Sequence, residues 1–141
     1  CRRVDVPDII RLNELSWEGV RLLSQTGALN PVNLECIAFD QVLFNHAVFS
    51  SVNLQGVLFT GGQSSGVKFE GGSSLRCAVF EGVDLRGVDF GDSDLTGTLF
   101  SNVDLSTAKL TREQLEQAVF HNSELPKGIP SDVRIRTLAR K

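Results

Sequence analysis

Hydrophobic residues recur in this chain at every fifth position. Counting from Leu34 gives Leu34, Phe39, Phe44, Phe49, Leu54, Phe59, Ser64 and Phe69, and Ser64 alone breaks the apolar series. One extra residue in the stretch EGGSS shifts the phase. The count then resumes at Leu75 and runs through Phe80, Leu85, Phe90, Leu95, Phe100, Leu105, Leu110, Leu115 and Phe120 to Leu125. Two positions ahead of the centres the residues are nearly all small or β-branched, as at Val42, Ala47, Val52 and Val57, and glycine often stands two positions after. A period of five fits neither a helix nor a flat strand. Two inward apolar positions and one turn residue make a short side, and four sides make a coil of about 20 residues.

Such a coil stacks every fourth centre. One side then reads Leu34, Leu54, Leu75, Leu95, Leu115, and the next Phe39, Phe59, Phe80, Phe100, Phe120. The third reads Phe44, Ser64, Leu85, Leu105, Leu125, and the fourth Phe49, Phe69, Phe90, Leu110. Two sides of identical residues, kept in step across the extra residue, make the coil the simplest reading. Layers spaced by ~4.8 Å predict a rod of nearly five coils, ~24 Å long, filled with aligned Phe and Leu.

The pentads VNLEC, VNLQG, VDLRG and SDLTG resemble the pentapeptide-repeat family, and IAFDQ and VLFNH follow its pattern more loosely. The resemblance implies an all-β fold, a right-handed quadrilateral parallel β-helix, over residues 32–125. The segment LTREQLEQAVF…ELP is similar to the ending of many bacterial members, which implies a bacterial source. Glu113 departs from the small inward residue of the pattern, so local helix or a distorted final coil is expected over 111–117. The ends of a solenoid need capping. Residues 1–31 are expected to form a helical N-terminal cap, with Asp8 and Ser16 as N-caps, Gly27 as a C-cap, and Trp17, Val20 and Leu23 on one face. Residues 126–141 form a basic C-terminal tail.

Charge adds a second layer to this picture. The chain holds 14 Lys and Arg against 17 Asp and Glu. Residues 32–125 carry 12 acids and 5 bases, a net −7, whereas the tail from 126 has five bases and one acid. An acidic body with a basic tail gives no general signature of nucleic-acid binding. No run approaches the ~18 consecutive apolar residues of a membrane span, and no signal-peptide pattern is visible, so the expectation is a soluble, cytoplasmic protein. The Cys at position 1 and the lack of Met point to a domain of a longer protein.

Candidate chemistry is sparse. His46 and His121 fall on different sides near opposite ends, without metal-ligand neighbours at useful spacing, and are read as solvated structural residues. No catalytic, cofactor or metal site is expected, because a filled β-helix leaves no interior pocket. Cys36 and Cys77 share a corner two coils apart, ~9.6 Å at the layer spacing, too far for a disulfide. The loops TGGQSSG and EGGSS lack the Lys-Ser/Thr of a phosphate-binding loop.

Function is therefore sought at the outward positions. Just before each centre, the phenylalanine side reads Ala38, Leu58, Val79, Leu99, Val119, an apolar stripe along the whole rod. Such a stripe is either β-propensity alone or the mark of a cover: the Trp17 segment, the Val133, Ile135, Leu138 tail, a second subunit forming a homodimer, or another protein. The third side carries the acidic ladder Asp84, Asp104, Glu124, read as a solvated face that keeps the rod soluble or as a surface that mimics DNA phosphates. Acidity matters because well-known members of the family bind DNA gyrase and topoisomerase IV as DNA mimics and protect them from quinolones or toxins. Others are modules of secreted bacterial effectors, delivered in some cases to a host cell. The reading that best fits the residues is a non-enzymatic interaction scaffold that binds a protein partner, with no direct contact to nucleic acid or membrane.

Overall fold

The computed structural model describes residues 11–13, 15–23 and 32–138. Its backbone is a parallel β-solenoid whose coils return to the same position after 20 residues, or 21 where the extra residue lies. The phenylalanine side is a seven-stranded parallel sheet of β1 (Arg11–Asn13), β3 (Ala38–Asp40), β5 (Leu58–Thr60), β7 (Val79–Glu81), β8 (Leu99–Ser101), β9 (Val119–His121) and β10 (Arg136–Thr137), in that order. The fourth side holds β2 (Arg21–Leu23), β4 (Val48–Ser50) and β6 (Lys68–Glu70), continued by single bridges Lys68 to Asp89 and Asp89 to Lys109. The other two sides are built of single bridges, such as Asn33 to Asn53 and Leu43 to Gln63.

Three-residue strands explain the fivefold count. The middle residue points inward and its two neighbours outward, as the alternation of a strand requires. Phe39, Phe59, Phe80, Phe100 and Phe120 stack ring on ring, with centroid steps of 5.4, 4.8, 5.1 and 5.5 Å and rings within 16° of parallel. Phe49, Phe69 and Phe90 form a second stack with steps of 5.4 and 5.6 Å. Edge-to-face contacts join the two columns, for example Phe90 to Phe100 at 5.5 Å. Each buried Phe contributes about 1.5–3 kcal/mol through burial, and each favourable ring pair about 0.5–1.5 kcal/mol more. Ser64 occupies its interior place and is buried.

The corners require a left-handed backbone. Glycine supplies it at many of them, yet Cys36, Gln41, His46, Ser51, Cys77, Asn102 and Asn122 also hold φ between 46° and 63°. For such residues the conformation costs about 1–2 kcal/mol, and the coil-to-coil hydrogen bonds hold it in place, as in Cys36 N–H to Gln55 C=O at 2.9 Å. The extra residue is absorbed at the corner Gly71–Gly72. There the Ser73 hydroxyl accepts from the Val52 amide and donates to the Glu70 carbonyl.

The N-terminal end corrects the expectation of a helical cap over 1–31. In the residues described, the helix is replaced by strands β1 and β2 with a turn at Glu18 and Gly19. Ser16 bridges Leu43 instead of capping a helix, and Leu12 and Leu22 lie in register with Phe39 and Phe49. Trp17 sits inside, edge-on to Phe39 and Phe44 at 5.4 and 5.5 Å. The segment thus adds a coil to the rod. Asp8 and Gly27 lie outside the described residues.

At the other end, α1 (Arg112–Gln117) interrupts the strand pattern. Thr111 and Gln114 form a reciprocal capping box, which satisfies amides that the first turn would otherwise leave unpaired. The helix turns Glu113 out to solvent and carries Gln114, an outward position by the fivefold count, into the interior. The Gln114 side-chain amide donates to the carbonyls of Gly91 at 3.1 Å and Ser93 at 3.0 Å. Val133 is buried against the last coil with Ile129 and Ile135 beside it, and β10 pairs with β9. Arg112 holds Asp132 at 2.9 Å, tying helix to tail.

Candidate interaction surface

The apolar stripe is a true ladder. Ala38, Leu58, Val79, Leu99 and Val119 are register partners on five successive strands, with Arg11 next to Ala38 at one end and Arg136 next to Val119 at the other. Leu58, Val79, Leu99 and Val119 are partly exposed. Ala38 is not an open member, because its exposure is only 1%. It is flanked in register by β1 and β5, and the open ladder has four rungs.

The terminal segments considered as covers go elsewhere. Trp17 enters the core and Val133 closes the last coil, while Leu138 remains 52% exposed. Beside the ladder, across the inward phenylalanines, runs a second outward row: Asp40, Thr60, Glu81, Ser101 and His121. Within it the Thr60 hydroxyl donates to Asp40, and from the adjoining corner the Asn102 amide donates to Glu81 at 2.9 Å. On the opposite flank lies an uncharged corner of Cys36, Gly56, Cys77 and Gly97, in which both cysteines are free thiols. This polar row and the arginines at the ladder's ends were not singled out by the stripe count. Their signal was present in the same register, one or two positions away.

The acidic column on the third side is uneven. Asp84 is held by Arg86 through a two-pronged contact at 2.7 and 3.0 Å. The Arg86 hydrogen bonds keep the Asp84 carboxyl below its ordinary range, against a smaller opposing effect of burial. Asp104 pairs in register with Glu124, and both are exposed. The hydroxyl and amide of Ser106 hold Asp104 below its ordinary range as well. Elsewhere Arg76 meets Asp94 at 3.1 Å. Burial pushes the Asp94 carboxyl upward, but the Thr96 hydroxyl and amide together with Arg76 more than offset it. On the fourth side Lys68, Asp89 and Lys109 alternate in register.

His121 lies on the polar row and His46 at an exposed corner, so the structure does not bring the histidines together. Among the described residues no cluster of three or more His, Cys, Asp or Glu side chains is arranged to hold a metal. A shallow groove of about 650 Å³ runs between α1 and the corner at Gly91, lined by Asp92, Asp94, Thr96, Glu113 and Gln117 among others. A recess of about 220 Å³ with a mixed lining lies under the tail, between Leu110, Leu115, Ile129 and Val133 with Arg112 and Lys127. No helix among the described residues is long and apolar enough to cross a membrane.

Comparison with known proteins agrees with the repeat. The family model for pentapeptide repeats matches residues 65–102, in eight copies. Among solved structures, a trypsin-treated variant of QnrB1, a plasmid-mediated fluoroquinolone resistance protein, is 17% identical. The match covers 92% of this chain and 91% of that one, with a TM-score of 0.29. The pentapeptide repeat protein Rfr23 from the cyanobacterium Cyanothece 51142 is 14% identical, with 83% and 85% covered and a TM-score of 0.29. No curated protein matches the chain.

Proposed function

Since this chain is a parallel β-helix that carries pentapeptide repeats over residues 65–102, and its inward residues are committed to its core, we propose that it acts as a non-enzymatic scaffold that binds a protein partner through outward side chains. The observation that carries this reading is the ladder Leu58, Val79, Leu99, Val119: four apolar residues, in register and partly exposed, on consecutive strands. Apolar area kept in line at the surface costs solubility and is the usual mark of a docking face. Asp40 and Glu81 in the row beside it supply polar groups of the kind found at an interface rim.

The test is the double variant Leu58→Asp with Leu99→Asp. Both side chains point outward, so the fold survives, while the protein's set of retained partners and its sedimentation coefficient change. An unchanged partner set and an unchanged size would remove the ladder as an interface.

A DNA mimic that binds DNA gyrase or topoisomerase IV is the second reading, and the acidic column Asp84, Asp104, Glu124 favours it. Against it, Arg86 neutralises Asp84, Arg76 meets Asp94, and lysines flank Asp89. A phosphate-like surface needs a dense field of one sign. Supercoiling by gyrase, with and without a quinolone, separates the readings: the scaffold leaves both reactions unchanged at micromolar concentration. A module of a secreted effector is compatible with the same ladder and differs in where the partner resides.

A further inference from the structure

We propose that the occupant of the ladder is a basic amphipathic α-helix of the partner protein, an inference that rests on the docking role assigned above. The first argument is backbone chemistry. The amides of Leu58, Val79, Leu99 and Val119 are already bonded to Ile37, Val57, Ala78 and Thr98 carbonyls at 2.8–3.0 Å. The sheet face therefore has no backbone groups to offer. An extended peptide laid on it would bury its own N–H and C=O groups against apolar side chains without partners, at about 1–3 kcal/mol for each group so buried. A helix arrives with those groups already paired.

Spacing points the same way. Rungs of the ladder lie ~4.8 Å apart, close to the ~5.4 Å pitch of a helix. An extended peptide repeats on one face every ~6.6 Å and falls out of step within two rungs. From Leu58 to Val119 the ladder spans three intervals, ~14 Å, which ~10 helical residues cover.

Area excludes a second copy docked through this side alone. Seven strands at ~4.8 Å, each about 10 Å wide, offer on the order of 300 Å² of flat surface. A standard interface takes ~800 Å² from each partner.

Charge sets the remaining feature. One flank of the ladder is the uncharged corner of Gly56, Cys77 and Gly97. The other is the row Asp40, Thr60, Glu81, Ser101, His121, whose two carboxylates form no ion pair with another described residue. A helix seated on the rungs thus meets carboxylates along one edge only, and lysines or arginines on that edge complement them.

The probes are three fluorescein-labelled synthetic peptides of about 14 residues. In the first, leucines recur at helical spacing and the other positions are lysine. The second has the same composition with leucine and lysine alternating. The third is the first with glutamate for lysine. Fluorescence anisotropy is expected to show the first binding at least about tenfold more tightly than the other two. Leu58→Ser with Leu99→Ser, and separately Asp40→Asn with Glu81→Gln, each weaken it by about tenfold or more. Circular dichroism melting checks that the variants are folded, and Val119→Ser replaces the leucine pair if they are not. Equal binding of the alternating peptide, binding of none of the three, or binding undiminished by the ladder variants overturns the helix. If the helix fails while Leu58→Asp with Leu99→Asp still changes the native partner set, the docking role stands alone. If that set is unchanged too, both fall.

Discussion

The Sγ of Cys36 stands 3.1 Å from the point where a β-carbon on Gly56, one coil further on, would lie. Cys77 repeats the relationship with Gly97 at 3.3 Å. The corner therefore alternates a side chain with a gap that receives it. Gly56→Ala introduces two costs, a left-handed alanine at φ 72° worth about 1–2 kcal/mol, and contact with the sulfur. Cys36→Ala in the same chain removes the second alone. Urea unfolding of the two single variants and the double is expected to show a favourable coupling of about 0.5–1 kcal/mol; strict additivity would mean the sulfur moves aside freely.

Phe80 sits in both directions of the aromatic lattice. It stacks on Phe59 at 4.8 Å and Phe100 at 5.1 Å, and it meets Phe69 and Phe90 edge-on. Phe80→Ala is expected to cost about 3–5 kcal/mol in a denaturant titration. Phe80→Leu, which keeps most of the volume, costs less than half of that. Equal losses would show that ring volume, and not stacking geometry, has been misjudged as the source.

Gln114 fills a gap that an aliphatic residue of its size also fits, so Gln114→Leu isolates its hydrogen bonds. The carbonyls of Gly91 and Ser93 lose their donor. Unfolding free energy is expected to fall by about 1–3 kcal/mol. Faster amide exchange should follow around Leu95 and Ala118, where helix and coil meet.

Asp84 gives the pH dependence a sign. Its folded carboxyl lies below the ordinary value of 3.8 because Arg86 favours the charged form. A depressed folded pKa contributes stability above the unfolded value, and that contribution disappears as pH falls through the folded one. Stability is therefore expected to drop on acidification below about pH 4, with Asp94 and Asp104 acting in the same direction. In Arg86→Ala the Asp84 titration, followed by carboxyl carbon NMR, moves up toward 3.8. An unmoved titration would assign the shift to other groups.

Much of the fold could be read directly because each pentad spends its central residue on the core. Phe39 to Phe120 announce a column without any knowledge of strands. The N-terminal coil obeyed the same rule, since Leu12, Trp17 and Leu22 are also five apart. The same segment also suits a helix, since Trp17, Val20 and Leu23 fit a helical face, and Leu12 meets Phe39 after 27 residues, not 20 or 21. That longer return destroys the phase on which the count depends. Gln114 departs from the count for a related reason: the capping box at Thr111 replaces the fivefold rule locally. The ladder's register was legible, but the burial of Ala38 was not, since it depends on the extra coil beside it. Which outward residues lack an ion-pair partner among the described residues, as at Glu81, emerges only from side-chain geometry.

The corner at Gly71–Gly72 bears on how such a rod tolerates change in its gene. A residue is added there, and every side beyond it still meets its neighbours in register, with Leu58 opposite Val79 and Phe59 opposite Phe80. Insertions at a corner lengthen a loop outside the square and leave the sides in phase; an insertion in the middle of a side would put every later phenylalanine one step out of line. Corners are thus the places where codons can be gained, or a foreign loop grafted, without rewriting the interior.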